Sequence, residues 1–181
     1  MKLAGVLPYL AVLSCLLACP SLSRAGETAP LQVSLFHPLQ AYPDDYSVDG
    51  LRLNVIYGVN DNVQGIDLGL VNETKGNVQG FELGADNRVS DDFTGGQLGL
   101  FNEVKGNFNF LQLGLIANIT KGSCTGFQAS VFYNDAGQEM RGLQLGIVNH
   151  AGSLYGIQIG LLNFNDDTKY IGFFPFINAA F

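Results

Sequence analysis

What this sequence has little of narrows the field first. Its 181 residues include no tryptophan, two histidines, and nine lysines and arginines against sixteen aspartates and glutamates. Basic residues cluster nowhere. Phosphate neutralisation, which supplies most nucleic-acid affinity, therefore has no carrier, and nucleic acid is excluded as an expected partner. The same shortage argues against a peripheral protein held on anionic lipid by charge alone. Of three cysteines, Cys15 and Cys19 lie in the first twenty residues, which leaves Cys124 as the one thiol of the body. No internal disulfide can form there, so stability must come from burial and backbone pairing. Helical periodicity is also missing, because no window past the opening segment repeats apolar residues at i, i+3 and i+4.

That opening segment has the layout of a secretory signal peptide, with Lys2 followed by an uncharged apolar run from Leu3 to Ala18. Ser23 and Ala25 supply small residues just before Gly26. Cleavage after Ala25 is expected, giving a signal peptide over 1–25 and a single β-repeat domain over 26–181. Leu16-Leu17-Ala18-Cys19 resembles the lipobox of bacterial lipoproteins, so lipidation at Cys19 stands as the alternative. Either route removes Lys2 and no acid, and the mature chain is at least as acidic as the whole chain's net charge of -7.

The dominant feature is an internal repeat. The hexapeptides Ile66–Val71, Phe81–Asp86, Gly96–Phe101, Leu111–Ile116, Phe127–Phe132, Leu143–Val148 and Ile157–Leu162 align on a central glycine, replaced once by Ser130. That position falls at 69, 84, 99, 114, 130, 146 and 160, in steps of 15, 15, 15, 16, 16 and 14. Each copy alternates with period two, a strand pattern. One face is aliphatic or aromatic; the other carries an acid or Gln, then Gly or Ser. Between copies lie stretches such as Asn72–Asn77, Asn102–Asn107 and Asn118–Ser123, read as polar turns in which Asn and Gly adopt left-handed geometry cheaply. Adding Leu31–Leu39, Leu51–Val59 and Tyr170–Phe181 gives about ten candidate strands, so the fold class is all-β.

Two architectures can use such a repeat. If Val63–Asn72 runs as one extended strand it covers about 33 Å. The five-residue connection to Val78 reaches only ~17 Å. A parallel coil then closes only if the strand breaks at a corner, for which Gly65 and Gly69 are available. Ten antiparallel strands in an outer-membrane-type β-barrel or meander need no break and match the ~9 to 11 residues of a tilted membrane strand. The barrel is the leading expectation, with the Leu face toward lipid and the Gln/Gly face inward, and the β-solenoid is the alternative. In that alternative the Leu face is expected inside and the Gln/Gly face is displayed to a partner.

The ending Phe173-Phe174-Pro175-Phe176-Ile177-Asn178-Ala179-Ala180-Phe181 resembles the C-terminal strand of outer-membrane β-barrels. The copies GLQLGIVN at 142–149 and GIQIGLLN at 156–163, with the opening LQVSLFHPL at 31–39, resemble a family of bacterial surface-repeat proteins named after a leptospiral member. That resemblance implies an outer-membrane or cell-surface location and no established activity.

Chemistry is sparse. His37 and His150 are far apart and neither stands in a metal-binding spacing. No nucleophile elbow, P-loop or dinucleotide fingerprint occurs. Asp67 and Glu82 occupy a slot that holds Gln in five other copies, which reads as a polar ladder and not an acid/base pair. The doublets Asp44-Asp45, Asp91-Asp92 and Asp166-Asp167 read as solvated turns. The expectation is a non-catalytic, structural or weakly pore-forming surface protein with outer-membrane lipid as its partner. No catalytic, cofactor-binding or metal-ligating residue is assigned, and no cofactor.

Overall fold

The computed structural model describes residues 26–168 and 172–181. The signal-peptide and lipobox readings, at 1–25, lie outside the described residues. The first strands are β1 (Thr28–Phe36), the short β2 (Leu39–Gln40), β3 (Ser47–Asn60) and β4 (Val63–Thr74). Next come β5 (Val78–Leu83), β6 (Asp86–Val89), β7 (Phe93–Val104) and β8 (Phe108–Thr120). The chain ends with β9 (Cys124–Ser130), β10 (Tyr133–Leu145), β11 (Val148–Asn165) and β12 (Phe173–Ala180).

The pairing overturns the antiparallel barrel. From β1 and β3 through to β10 and β11, each coil runs parallel to the one before it, with Val48, Val63, Val78, Phe93, Phe108, Cys124 and Met140 in successive register. The molecule is a parallel β-solenoid of about nine turns. The alternation that looked continuous is broken at two corners in every coil. At the first, Gly50, Gly65, Gly80, Gly95, Gly126, Gly142 and Gly156 all take positive φ, and a Cβ on Gly65 would run into the Gly50 carbonyl. Phe110 departs from glycine in this column and keeps a positive φ of 111°, and Pro30 stands at the equivalent place in the first coil. The second corner follows the repeat glycine and separates β5 from β6 outright at Gly84-Ala85. The 16-residue steps arise there: Gly99 pairs with Gly114, but Phe101 pairs with Ala117.

The interior reverses the sidedness expected for a solenoid. Facing inward are the Gln slot, an asparagine column, and two slim columns of which Val48, Val63, Val78, Phe93 and Phe108, and Thr74, Val89, Val104 and Thr120, are members. Phe93 and Phe108 stack with centroids 5.2 Å apart. Cys124 follows them, and burial pushes its thiol pKa up to about 12, so it packs as a small hydrophobe. The leucines point out. Phe93, Phe108 and Met140 show that bulky side chains enter the coil, but the inward slots between the leucines are given to amides. Amides can stack along the axis, because each one satisfies the next.

The stacking is literal. Gln158 Nε2 donates to Gln144 Oε1, Gln144 to Gln128, Gln128 to Gln112, and Gln112 to Gln97, at 2.7 to 2.9 Å. Asn178 of β12 donates to Gln158 at 2.8 Å and caps the string. The asparagines donate in the opposite sense, Asn72 to Asn87, Asn87 to Asn102, Asn102 to Asn118, and Asn118 to Asn134. Their second N–H reaches a backbone carbonyl of the next coil, as from Asn72 to Leu83 and from Asn102 to Leu113. Asn72, Asn102 and Asn118 are thus interior residues, not the first residues of turns.

Two stability predictions follow from this interior. Replacing Gln112 by Leu leaves the buried Gln97 carbonyl without its donor, and should destabilise by about 2 kcal/mol in thermal or denaturant unfolding. A Cβ on Gly114 would lie 2.5 Å from Asn118 Oδ1 and 2.6 Å from the Ala117 carbonyl oxygen. Gly114→Val should therefore cost about 1 to 3 kcal/mol, by pushing on the asparagine column and not on a barrel lumen.

Candidate interaction surface

Because the amides point inward, the same alternation drives the large aliphatic side chains outward, and the parallel register lines them up. One column runs Leu51, Ile66, Phe81, Gly96, Leu111, Phe127, Leu143, Ile157. Beside it run Leu53, Leu68, Leu83, Leu98, Leu113, Ala129, Leu145 and Ile159. Beyond the repeat glycine, Leu70, Ala85, Leu100, Leu115, Val131, Ile147 and Leu161 form a third column. No ionisable residue interrupts any of them. At about 4.8 Å per coil, the seven steps from Leu51 to Ile157 extend the flank over about 34 Å. Leu70 is 53% exposed, Phe81 58% and Leu115 56%, values that a leucine or phenylalanine packed in a core never shows. The Phe81 ring lies over Gly96, where a Cβ would meet it at 2.6 Å, so the one gap in the first column is covered.

Between the second and third columns the corner glycines sink into a shallow groove of about 780 Å³, lined among others by Leu83, Leu98, Leu100, Leu113, Leu115 and Val131. The groove's backbone has its polar groups engaged: Gly84 N–H donates to the Leu98 carbonyl, and the Leu83, Leu98 and Leu113 carbonyls accept asparagine side chains. The flank is thus apolar in its side chains, and these groups of its backbone are paired.

The remaining outward positions are mixed, with Val55, Phe101, Phe132 and Leu162 exposed among polar side chains. Glu73, Arg88, Glu103, Ile119, Asp135 and His150 follow one another in register along the side after the second corner. Tyr57 donates its hydroxyl to Glu73 at 2.6 Å, and burial together with that carboxylate pushes the phenol up to about 12. At the turns, side-chain oxygens of Asn62, Asn77, Asp92 and Asn107 each accept the backbone N–H of the residue fifteen or sixteen positions on.

The residues weighed for chemistry do not converge. His37 sits edge-on to Tyr57, with ring centroids 6.2 Å apart, whereas His150 lies near the other end of the solenoid. Asp67 and Glu82 do stack on one another, within the polar ladder and out of reach of solvent. Asp44 pairs with Lys75 at 2.7 Å, and Asp91, Asp92, Asp166 and Asp167 are exposed. Among the described residues, no group of three or more His, Cys, Asp or Glu side chains is placed to hold a metal ion. The Gln face, expected on display in the solenoid alternative, is the buried one; what the coil displays is the Leu face. The signal for that sidedness was in the sequence, since asparagine recurs at 72, 87, 102, 118, 134, 149 and 163 in step with the Gln slot. No family model matches the chain, and neither a curated protein nor a solved structure does.

One polar contact responds to pH. His150 Nδ1 is 2.7 Å from Asp135 Oδ1, and Nε2 is 3.1 Å from Asp166 Oδ2. Burial opposes protonation, but the hydrogen bonds and charges of both carboxylates outweigh it and raise the imidazole pKa. With the folded value raised, the clamp's stabilisation is complete below the unfolded value of about 6.5 and fades as pH climbs through the folded value. Asp166 opens the turn that leaves β11. Protection of the Asn165–Thr168 amides from hydrogen exchange, corrected for intrinsic rates, should fall as pH rises from about 6.5 through the raised folded value, and His150→Gln should show the lower protection throughout.

Proposed function

We propose that this is an exported, non-catalytic repeat protein of a bacterial outer membrane or cell surface, lying along a lipid layer with its aliphatic flank in the hydrocarbon and its polar turns in water. The observation that carries this reading is the flank itself. Soluble monomers rarely expose contiguous apolar surface on this scale. Hydrocarbon also favours a backbone whose polar groups are paired, and the coil-to-coil ladder pairs the strands that carry the flank. Among the described residues no helix is long and apolar enough to cross a membrane, and the arrangement is that of a protein resting in the interface. The signal-peptide layout of residues 1–25 and the resemblance of the repeats to bacterial surface proteins support export to that location. The negative net charge makes apolar contact, not headgroup charge, the source of affinity.

The experiment is flotation with uncharged phosphatidylcholine vesicles at low and high salt. The chain should float with the vesicles, and added salt should not release it. Leu100 is 40% exposed and Leu115 is 56% exposed, and full burial of a leucine is worth about 1.5 to 3 kcal/mol. The double variant Leu100→Glu/Leu115→Glu should therefore bind at least about tenfold more weakly while keeping its thermal stability. A parent chain that stays in the soluble fraction at every lipid concentration would overturn the reading.

A further inference from the structure

The Gln string does not run the length of the solenoid. Below Gln97 the slot is filled by Glu82, Asp67 and Arg52, all fully buried. Arg52, with Gln32 of β1 following it in register, meets the acids as a fork: its Nε donates to Asp67 Oδ1 at 2.8 Å, one terminal nitrogen donates to Asp67 Oδ2, and the other reaches the Glu73 carbonyl at 2.9 Å. Asn54 adds a third donor to Asp67, at 3.2 Å from Oδ1. Asp67 therefore has the surroundings of a carboxylate.

Glu82 has no such surroundings. Gln97 Nε2 donates to its Oε2 at 2.7 Å, while its Oε1 is buried with no donor at all. Every other member of the string passes a hydrogen onward toward the N-terminal coil, and the next group in that direction is the Asp67 carboxylate, one strand spacing away in register. A carboxylate at 82 would face a second carboxylate with nothing between them. The charged groups facing the slot are Arg52 from β3 and Asp67 from β4; β7 presents the neutral Gln97, and β6 of the same coil presents Asn87 and Val89.

We propose that Glu82 is a carboxylic acid in the folded protein at neutral pH, donating its Oε1 hydrogen to Asp67, so that the solenoid folds with uptake of one proton. Donation toward the N-terminal coil then continues unbroken from Asn178 to Asp67, where the opposing donor Arg52 meets it, and the buried Arg52–Asp67–Glu82 set is electrically neutral. Burial first, and the Asp67 charge second, raise the Glu82 pKa well above its ordinary value against the pull of Arg52. The raised folded value fixes the sign. The contribution is complete below the unfolded glutamate value of about 4.3 and is lost as pH rises toward the folded value, the folding constant falling about tenfold per pH unit in between.

The test is infrared spectroscopy of the purified chain at neutral pH in heavy water, alongside urea unfolding at a series of pH values. The parent should show the carbonyl stretch of a protonated carboxylic acid. Glu82→Gln, which keeps shape and the Gln97 contact, should lack that band and unfold with a pH slope smaller by one proton. A parent chain without the band overturns the proposal, whether or not the variant folds. So does a band or an unchanged slope that persists in folded Glu82→Gln.

Discussion

Everything in this molecule depends on a side-chain amide finding an identical amide one coil away. An amide buried alone is costly, of the order of 1 to 3 kcal/mol for each group left unpaired. Repeated in register at one strand spacing, it becomes its own solvent, with each carbonyl filled from one side and each N–H from the other. That condition is met coil after coil when neighbouring strands run parallel with equal residues adjacent, the arrangement that stacks asparagine and glutamine in other parallel β assemblies. Antiparallel strands would set the Gln slot of one copy against a different residue of the next. The interior chemistry thereby selects the topology, and the topology carries the leucines to the outside. The Gln and Asn strings also donate in opposite directions, so their dipoles along the axis oppose each other.

The same demand explains why the corners tolerate so little. The first corner approaches the carbonyl of the preceding coil too closely for a side chain, and the second has the asparagine amide packed directly under it. These positions are narrow because the coils are close and the lumen is already filled, not because a turn type requires glycine in isolation. Phe110 shows the limit: it holds the positive φ of its column while its ring stands 60% exposed, the only direction left open to it.

Much of this was legible before any coordinates. The repeat period and the strand character of the hexapeptides followed from spacing, and chain reach named Gly65 and Gly69 as the corners a coil would need, under the alternative reading alone. The barrel was preferred to the solenoid because the alternation over Val63–Asn72 was read as one unbroken strand, and the sidedness was misread separately, by expecting the face richer in leucine to meet either lipid in a barrel or the core of a coil. Asn72 and its equivalents were assigned to turns because asparagine favours turns locally; their recurrence in step with the Gln slot carried the opposite message. Ile66 and Gln112 could not be sided from alternation alone, since period two distinguishes two faces without saying which is in. What decides is the pairing of amides between coils, a property of the closed stack and absent from any single strand. The terminal Phe173–Phe181 segment was read as closing a barrel, whereas it lies antiparallel along β11.

That last strand has a consequence for the size of the particle. A stack of equivalent parallel coils has no intrinsic stopping point, since its final coil offers the same ladder that every other coil offers. β12 ends the series by lying across it in the opposite sense, with Asn178 filling the last Gln acceptor and Pro175 presenting no N–H. A parallel coil from another molecule would find mismatched groups at that edge. The repeat thus specifies a fibre in principle, and the eight residues of β12 cover the edge on which the next parallel coil would add.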